Sequence, residues 1–287
     1  MRLAVVQYQI ARDRQKALEE AEEKVREAAG EGAEVILLPE LFESPYFCQE
    51  ECPRWFEEAR TLAESAAIAR LSVIAAELGV VIPVSFFERR NQAYFNSVAM
   101  IDADGGILGV YRKSHIPDGP GYEEKFYFSP GDTGFRVWQT RFGQIGVGIC
   151  WDQWFPEAAR AMVLGGADLL LYPTAIGSEP TEPEVDTMEH WRRVMLGHAG
   201  ANIVPVAAAN RIGFEQFGES SINFYGSSFI SGSTGEIVES APRQKPAILH
   251  GRIEVEENRK LRANWGFFRD RRPQHYRDLL SLTGDPE

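Results

Sequence analysis

The sequence predicts a single α/β domain with mixed strand pairing. Short apolar, β-prone runs alternate with Ala-rich or amphipathic segments along most of the 287 residues. Two pairs of these runs are joined by turn signals short enough for antiparallel hairpins. No linker, low-complexity tract or internal repeat divides the chain.

The elements follow in order. Residues 3–9 read as a strand. Ala17, Leu18, Ala21, Val25 and Ala28 then share one face of a helix, which Gly30 and Gly32 end. Residues 35–38 form the next apolar run. An Ala-rich stretch over 62–78 predicts a helix closed by Gly79, and 80–86 predicts a strand. The runs 96–101 and 107–112 flank Asp102-Ala-Asp-Gly-Gly106, a hairpin signal. The runs 135–140 and 145–149 flank a second hairpin at 141–144. Apolar runs at 169–172, 204–209 and 229–231 and a helix over 190–201 complete the pattern.

Composition narrows the function. With 44% hydrophobic and 25% charged residues, the chain reads as an ordinary globular protein able to bury a sizeable core. A formal charge of -12 argues against nucleic acid or an anionic membrane as partner and suits a cationic small molecule. No apolar run approaches the ~20 residues of a membrane span. The chain starts directly on a strand with no signal-type apolar region, so a cytoplasmic location is expected. Three cysteines are too few for a disulfide framework. Cys48 and Cys52 have the spacing of half a metal site, but no second Cys or His pair stands nearby, so no metal is expected. Neither GxGxxG nor GxxxxGK[ST] occurs, and no cofactor is expected.

Chemistry concentrates at the ends of three runs. Cys150 ends 145–149 and lies just before Pro156, which opens an Ala-rich helical pattern. Glu40 follows 35–38 and Pro39. Lys113 follows 107–112. If these strands share one sheet direction, the three side chains meet at one edge, where open α/β sheets place their ligands. A thiol attacks a carbonyl through its thiolate, yet a free thiol has pKa ~8.5 and needs a base or cation beside it. Glu40 can take that proton and later deprotonate a water. Lys113 and the backbone N–H of Trp151 can stabilise the oxyanion. His115, two residues after Lys113, would serve a rival Cys–His scheme, but a hydrogen-bonded structural role is expected for it. Tyr122, Trp151 and Trp154 either line a pocket or pack in the core. The acidic, Pro-broken stretch 177–186 is a loop that either overhangs the same edge or is a solvated charge run.

These residues stand in three blocks: LLPELF around Glu40, YRKSHIPDGPGYEEKFYFSPGDTGF around Lys113, and GICWDQWFPEAARAMVLGGADLLLYPTAIGSEP around Cys150. With them, the chain resembles the nitrilase superfamily of carbon–nitrogen hydrolases and its Glu–Lys–Cys triad, from the first strand to the tail WGFFRDRRPQHYRDLL. The resemblance implies an α-β-β-α sandwich of the nitrilase type over residues 1–287. It also implies a homo-oligomer stacked through a helical face, with 265–287 as an inter-subunit arm or a segment packed on its own domain. Glu124, in GYEEKFYF, resembles the glutamate that positions substrate and supports the lysine. The long blocks are most similar to members that hydrolyse the ureido group of a small-molecule N-carbamoyl amine to the amine, ammonia and carbon dioxide, in polyamine synthesis.

Three other functions compete. A ureido acid such as N-carbamoyl-β-alanine would want an Arg in the pocket, whereas a cationic substrate wants Asp or Glu. Glu179, just beyond 172–178, is the candidate counter-charge. A nitrile substrate fits the long blocks less well. A non-catalytic binding protein on the same fold would not need Glu40, Lys113 and Cys150 together.

Overall fold

The computed structural model describes residues 1–182 and 184–285. Strands β1 (Arg2–Gln7), β2 (Val35–Leu37), β3 (Ile82–Arg90), β4 (Ala93–Ile101) and β5 (Ile107–Arg112) occupy the first part of the chain. β6 (Val137–Thr140), β7 (Gly143–Val147), β8 (Leu169–Thr174), β9 (Val206–Asn210), β10 (Ile212–Phe217), β11 (Ser220–Tyr225), β12 (Phe229–Ser231), β13 (Ile237–Ser240) and β14 (Ala247–Arg252) follow. The helices are α1 (Arg14–Gly30), α2 (Ala66–Leu78), the short α3 (Glu124–Tyr127), α4 (Pro156–Leu164), α5 (Met188–Asn202) and α6 (Val255–Trp265).

The helices are built as their sequences dictate. α1 starts where the Asp13 carboxylate accepts the Lys16 N–H at 2.9 Å. It buries the five residues whose spacing marks its face, Ala17, Leu18, Ala21, Val25 and Ala28. α2 begins at 66, not 62, because Ser65 is its N-cap, accepting from Ile68 N. Gly79 ends it at φ 68, a left-handed conformation open to glycine without steric cost.

Two sheets form. β14, β1 and β2 are continued through a parallel bridge, Val35 to Val81, into β3, β4 and β5. The second sheet has the order β13-β12-β9-β8-β7-β6, with β7, β8 and β9 parallel. Alternation along single strands shows how they stack. Val5 of β1 and Leu171 of β8 meet in one core between the sheets, with Leu37, Val98, Val147 and Ala207. Their neighbours Ala4 and Val6 pack under α1 and α2, and Leu170 and Tyr172 pack under α4 and α5. The result is the α-β-β-α sandwich, with both sheets covered on both faces.

Several boundaries differ from the sequence reading. β3 runs to Arg90, four residues past the apolar run, because the β3–β4 hairpin continues through charged residues. There Glu88 is buried and paired with Arg112 at 2.7 Å. β7 stops at Val147, and Cys150 opens a 3₁₀ segment, Cys150–Trp154. The β10–β11 hairpin is an addition, as are β13, β14 and α6. The tail beyond Trp265 runs beside α4 and α5, where Phe267, Tyr276 and Leu279 border a groove with Arg160 and His198. Pro286 and Glu287, in the predicted arm, lie outside the described residues. Among the described residues no helix is long and apolar enough to cross a membrane.

Because Leu171 is fully buried between the sheets, Leu171→Ala is expected to cost about 2–5 kcal/mol. Urea unfolding measures it, and an unchanged midpoint would contradict the interlocked inner core.

Candidate active site

Three chain turns deliver the predicted residues. Glu40 and Lys113 follow β2 and β5, which run in the same direction because β3 and β5 are each antiparallel to β4 and β3 is parallel to β2. Cys150 follows β7, in the other sheet. The three residues therefore come from two packed sheets, which corrects the expectation of a single sheet edge. Lys113 is seated by its own backbone, its N–H donating to Asn96 O at 2.9 Å.

Lys113 is the hub. Its Nζ lies 2.9 Å from Glu40 Oε1 and 2.6 Å from Glu124 Oε2, and all three side chains are fully buried. Asn96 Nδ2 donates to Glu40 Oε1 at 2.7 Å, and the Tyr46 hydroxyl donates to Glu124 Oε1 at 2.7 Å. Among the described residues Glu40 Oε2 has no partner. It is the one carboxylate oxygen of the cluster free to accept a proton. Cys150 Sγ lies 3.8 Å from Ala175 O.

The electrostatics follow from burial and charge. Burial works against the Lys113 charge, but Glu124, Glu40 and Cys150 outweigh it and hold the ammonium well above its ordinary pKa. Burial and Glu40 push the Cys150 thiol up, against the pull of Lys113. The thiol therefore rests protonated, and forming the thiolate requires an acceptor within the site. Burial also raises Glu124, opposed by Lys113 and reinforced by Glu40. Burial and the Glu124 charge raise the Tyr46 phenol, which stays a donor.

The Cys150 turn is strained and braced. Cys150 has φ 40, a left-handed conformation that costs an L-residue roughly 1–2 kcal/mol. The buried Asp152 carboxylate accepts from Ile149 N at 2.9 Å, the Tyr111 hydroxyl at 2.7 Å and His115 N at 3.0 Å, and it meets His115 Nδ1 at 2.7 Å. His115 also stacks on Phe155 at 3.6 Å between ring centroids. Its ring is thus committed to bracing, as a structural histidine. The Trp151 N–H lies in the first turn of the 3₁₀ segment, where backbone donors lack intrahelical acceptors.

A cavity of about 390 Å³ opens onto Cys150 and Glu124. Tyr122, Trp151, Trp154 and Glu179 all line it, so these aromatic residues are pocket walls, with Trp151 partly exposed. The Tyr122 hydroxyl donates to Ser178 O at 3.3 Å and accepts from Gly177 N at 3.1 Å, pinning the start of the acidic loop. That loop divides. Glu179 and Thr181 face the cavity, whereas Asp186 lies outside and pairs with Arg243 at 2.8 Å. Pro183 of this loop lies outside the described residues. Among the described residues the Glu179 carboxylate has no ion-pair or hydrogen-bond partner, and none of the cavity's lining side chains is Arg or Lys. Burial, with Glu182 nearby, raises the Glu179 pKa. Cys48 is fully buried and Cys52 partly so. Among the described residues no cluster of three metal-ligating groups forms.

Sequence reasoning missed Tyr46, Asn96 and Asp152 as parts of the site, and His190 and Thr187 as cavity walls. Asn96 carried a signal, a polar residue opening an apolar strand. Asp152 did too, as an acid placed two residues after the cysteine.

A buried Glu–Lys–Glu cluster with a thiol at the ends of two packed sheets is an arrangement suited to thiol-dependent hydrolysis. A family model described as carbon-nitrogen hydrolase matches residues 2–263. An N-carbamoylputrescine amidase of Arabidopsis thaliana is 59% identical over 269 residues, 92% of this chain and 90% of that protein. A citrullinase of Francisella tularensis is 49% identical over 280 residues, 98% of each chain. The crystal structure of a carbon-nitrogen hydrolase from Helicobacter pylori G27 superimposes with a TM-score of 0.92 at 39% identity, covering 98% of this chain and 99% of that one. The chain belongs to the carbon–nitrogen hydrolase family of the nitrilase superfamily.

Cys150→Ala is expected to abolish turnover with the fold intact, whereas Cys48→Ala and Cys52→Ala keep it. Activity assays beside circular dichroism decide this, and a fully active Cys150→Ala variant would falsify thiol catalysis. Glu40→Gln and Lys113→Met should each lower kcat by about 10²- to 10⁴-fold. The double variant should be little worse than either single one, as in sites acting as a unit. Near-normal kcat in either single variant would remove that residue from the chemistry.

Proposed function

We propose that the protein hydrolyses N-carbamoylputrescine to putrescine, ammonia and carbon dioxide, with Cys150 as nucleophile, Glu40 as general base and Lys113 as electrostatic partner. In the first half-reaction the Cys150 thiol proton passes to Glu40 and Sγ bonds to the ureido carbon. The carbonyl electron pair moves to oxygen, where Lys113 and the Trp151 N–H stabilise it. Collapse of this adduct breaks one carbon–nitrogen bond, and the leaving nitrogen takes the proton held by Glu40. Water then gives a proton to Glu40 while its oxygen attacks the same carbon; collapse of this second adduct breaks the carbon–sulfur bond, and the proton on Glu40 returns to Sγ, restoring the thiol and the base. The carbamate so formed loses carbon dioxide and frees the second nitrogen. Glu124 positions the substrate and holds Lys113.

The single observation supporting a cationic far end is Glu179. It is an unpaired carboxylate in a cavity lined by no Arg or Lys. A terminal ammonium would satisfy it, and a carboxylate would find no Arg or Lys among the lining side chains, where His190 is the one imidazole. The 49% identity to a citrullinase raises citrulline as a second reading. Its α-amino group suits Glu179, but its α-carboxylate meets the same lack of a partner. The three free thiols suit a reducing cytoplasm. The exposed apolar tail, with Leu280 88% accessible, supports a homo-oligomer in which 265–287 is an inter-subunit arm along α4 and α5.

Ammonia release across N-carbamoylputrescine, citrulline, N-carbamoyl-β-alanine and a simple nitrile tests the substrate. A preference for either acid or the nitrile would overturn the proposal. Glu179→Gln should raise KM for N-carbamoylputrescine about tenfold to a hundredfold, the worth of one charge-assisted contact. KM for a neutral N-carbamoyl alkylamine should barely move, and equal losses on both would make Glu179 structural.

The pH dependence has a definite sign. Cation binding needs ionised Glu179, whose pKa is raised by burial and Glu182. As pH falls, KM for the cationic substrate should therefore rise at pH values where an ordinary glutamate is still charged. KM for the neutral analogue should stay flat through that range, and parallel curves would contradict the assignment.

A further inference from the structure

Arg211 stands between β9 and β10, fully buried, and no motif in the sequence marked it. Its guanidinium points at the backbone of the Glu40 turn. Nη2 donates to Glu40 O at 2.6 Å and Leu41 O at 3.1 Å, and Nη1 donates to Ser44 O at 3.3 Å. Leu41 is itself strained, at φ 48, with its N–H held by Ser85 Oγ at 2.9 Å. Nη1 also pairs with the buried Glu215 Oε1 at 3.0 Å.

From Glu215 the contacts return to the site. Glu215 Oε2 accepts the Tyr46 N–H at 2.6 Å, and the Tyr46 hydroxyl holds Glu124. Glu124 holds Lys113, and Lys113 holds Glu40, whose carbonyl Arg211 grips. The circuit closes on itself around the site. The guanidinium also lies 5.8 Å from the Tyr46 ring centroid and 5.3 Å from that of Phe224, so the ring carrying the hydroxyl packs against the same cation.

We propose that the buried Arg211–Glu215 pair is a positioning device for hydrolysis, fixing the Glu40 turn and, through Tyr46, the Glu124–Lys113 contact in one register. The proposal rests on Glu40 acting as base, and it is independent of which ureido compound is the substrate. A buried ion pair is a weak source of stability, since apolar residues of similar volume often replace it without loss. Here the pair supplies four directed bonds to groups that carry or flank the site, and a fork-shaped donor is needed to reach several carbonyls at once.

Arg211→Lys retains the charge and loses the fork. It should lower kcat by about tenfold or more, less than the 10²- to 10⁴-fold expected for losing the base itself. KM should stay within roughly twofold, because the pair does not line the substrate cavity. The double variant Arg211→Met with Glu215→Leu removes both charges together and should fold, with the same loss of kcat.

A second readout needs no substrate. Carboxamidomethylation of Cys150 by iodoacetamide at pH 7, followed by peptide mapping to separate it from Cys48 and Cys52, reports how readily the thiol yields its proton. Its rate should fall by about tenfold in each folded variant, since the thiolate depends on a placed base. A folded variant with wild-type kcat and wild-type alkylation would overturn the proposal. So would failure of both variants to fold, which would make the pair a folding requirement. If wild-type protein does not hydrolyse N-carbamoylputrescine, the substrate assignment falls while the alkylation rates still decide the role of Arg211.

Discussion

The structure depends on a lysine ammonium held without water between two carboxylates. Burying an isolated charge costs several kcal/mol even after relaxation, and removing one partner of a buried pair is strongly destabilising. Lys113 avoids that cost only because Glu40 and Glu124 both lie within hydrogen-bond distance. The cluster carries one net negative charge when both acids are ionised. A thiolate beside it would add a second, which is why burial and Glu40 together keep the Cys150 thiol protonated. Moving the thiol proton onto Glu40 changes no net charge. Proton transfer inside the site is therefore easier than ionisation to solvent, and the resting thiol is shielded from the oxidation that exposed thiolates suffer.

Such a cluster needs residues brought from distant parts of the chain with little freedom, and the sandwich supplies them. Glu40 and Lys113 leave two like-directed strands of one sheet, and Cys150 leaves the other sheet. Inner faces locked by Leu37, Val147 and Leu171 fix the sheets against each other. The last step of placement is made by strained turns. Leu41, just after Glu40, and Cys150 itself both have positive φ. Each turn is held by a buried charged side chain, Arg211 for one and Asp152 for the other. Strain of this kind persists only where surrounding contacts over-determine it.

What the sequence disclosed follows from this division of labour. Glu40, Lys113 and Cys150 were legible because each interrupts or follows an apolar run, a break in pattern that needs no partner to be seen. The face of α1 was legible for the same reason, since its five buried residues repeat at helical spacing. Tyr46 and Arg211 were not. Their neighbours ESPYF and ANRIG read as turn and strand end, and their meaning lies in contacts 78 and 171 residues away along the chain. The β10–β11 hairpin escaped because β10 inverts the usual polarity, with Phe214 exposed and Glu215 buried, and Glu215 is buried for the sake of Arg211. The charged end of β3 escaped likewise, because Glu88 is buried by pairing with Arg112 rather than by being apolar.

Charge also links the inner end of the site to its mouth. The Glu40–Lys113–Glu124 cluster leaves the deep end of the cavity one charge negative, and Glu179 adds another at its wall. A substrate with an ammonium terminus meets acidic side chains, Glu124, Asp118 and Glu179, among the cavity's walls. One with a carboxylate terminus meets repulsion from the same groups that keep the thiol protonated. Reversing that preference takes more than changing Glu179, because the deeper charge cannot be removed without unpairing Lys113. If Glu179 binds an ammonium as proposed, selection against anionic ureido compounds is tied to the proposed chemistry itself, and the wall residue adjusts it.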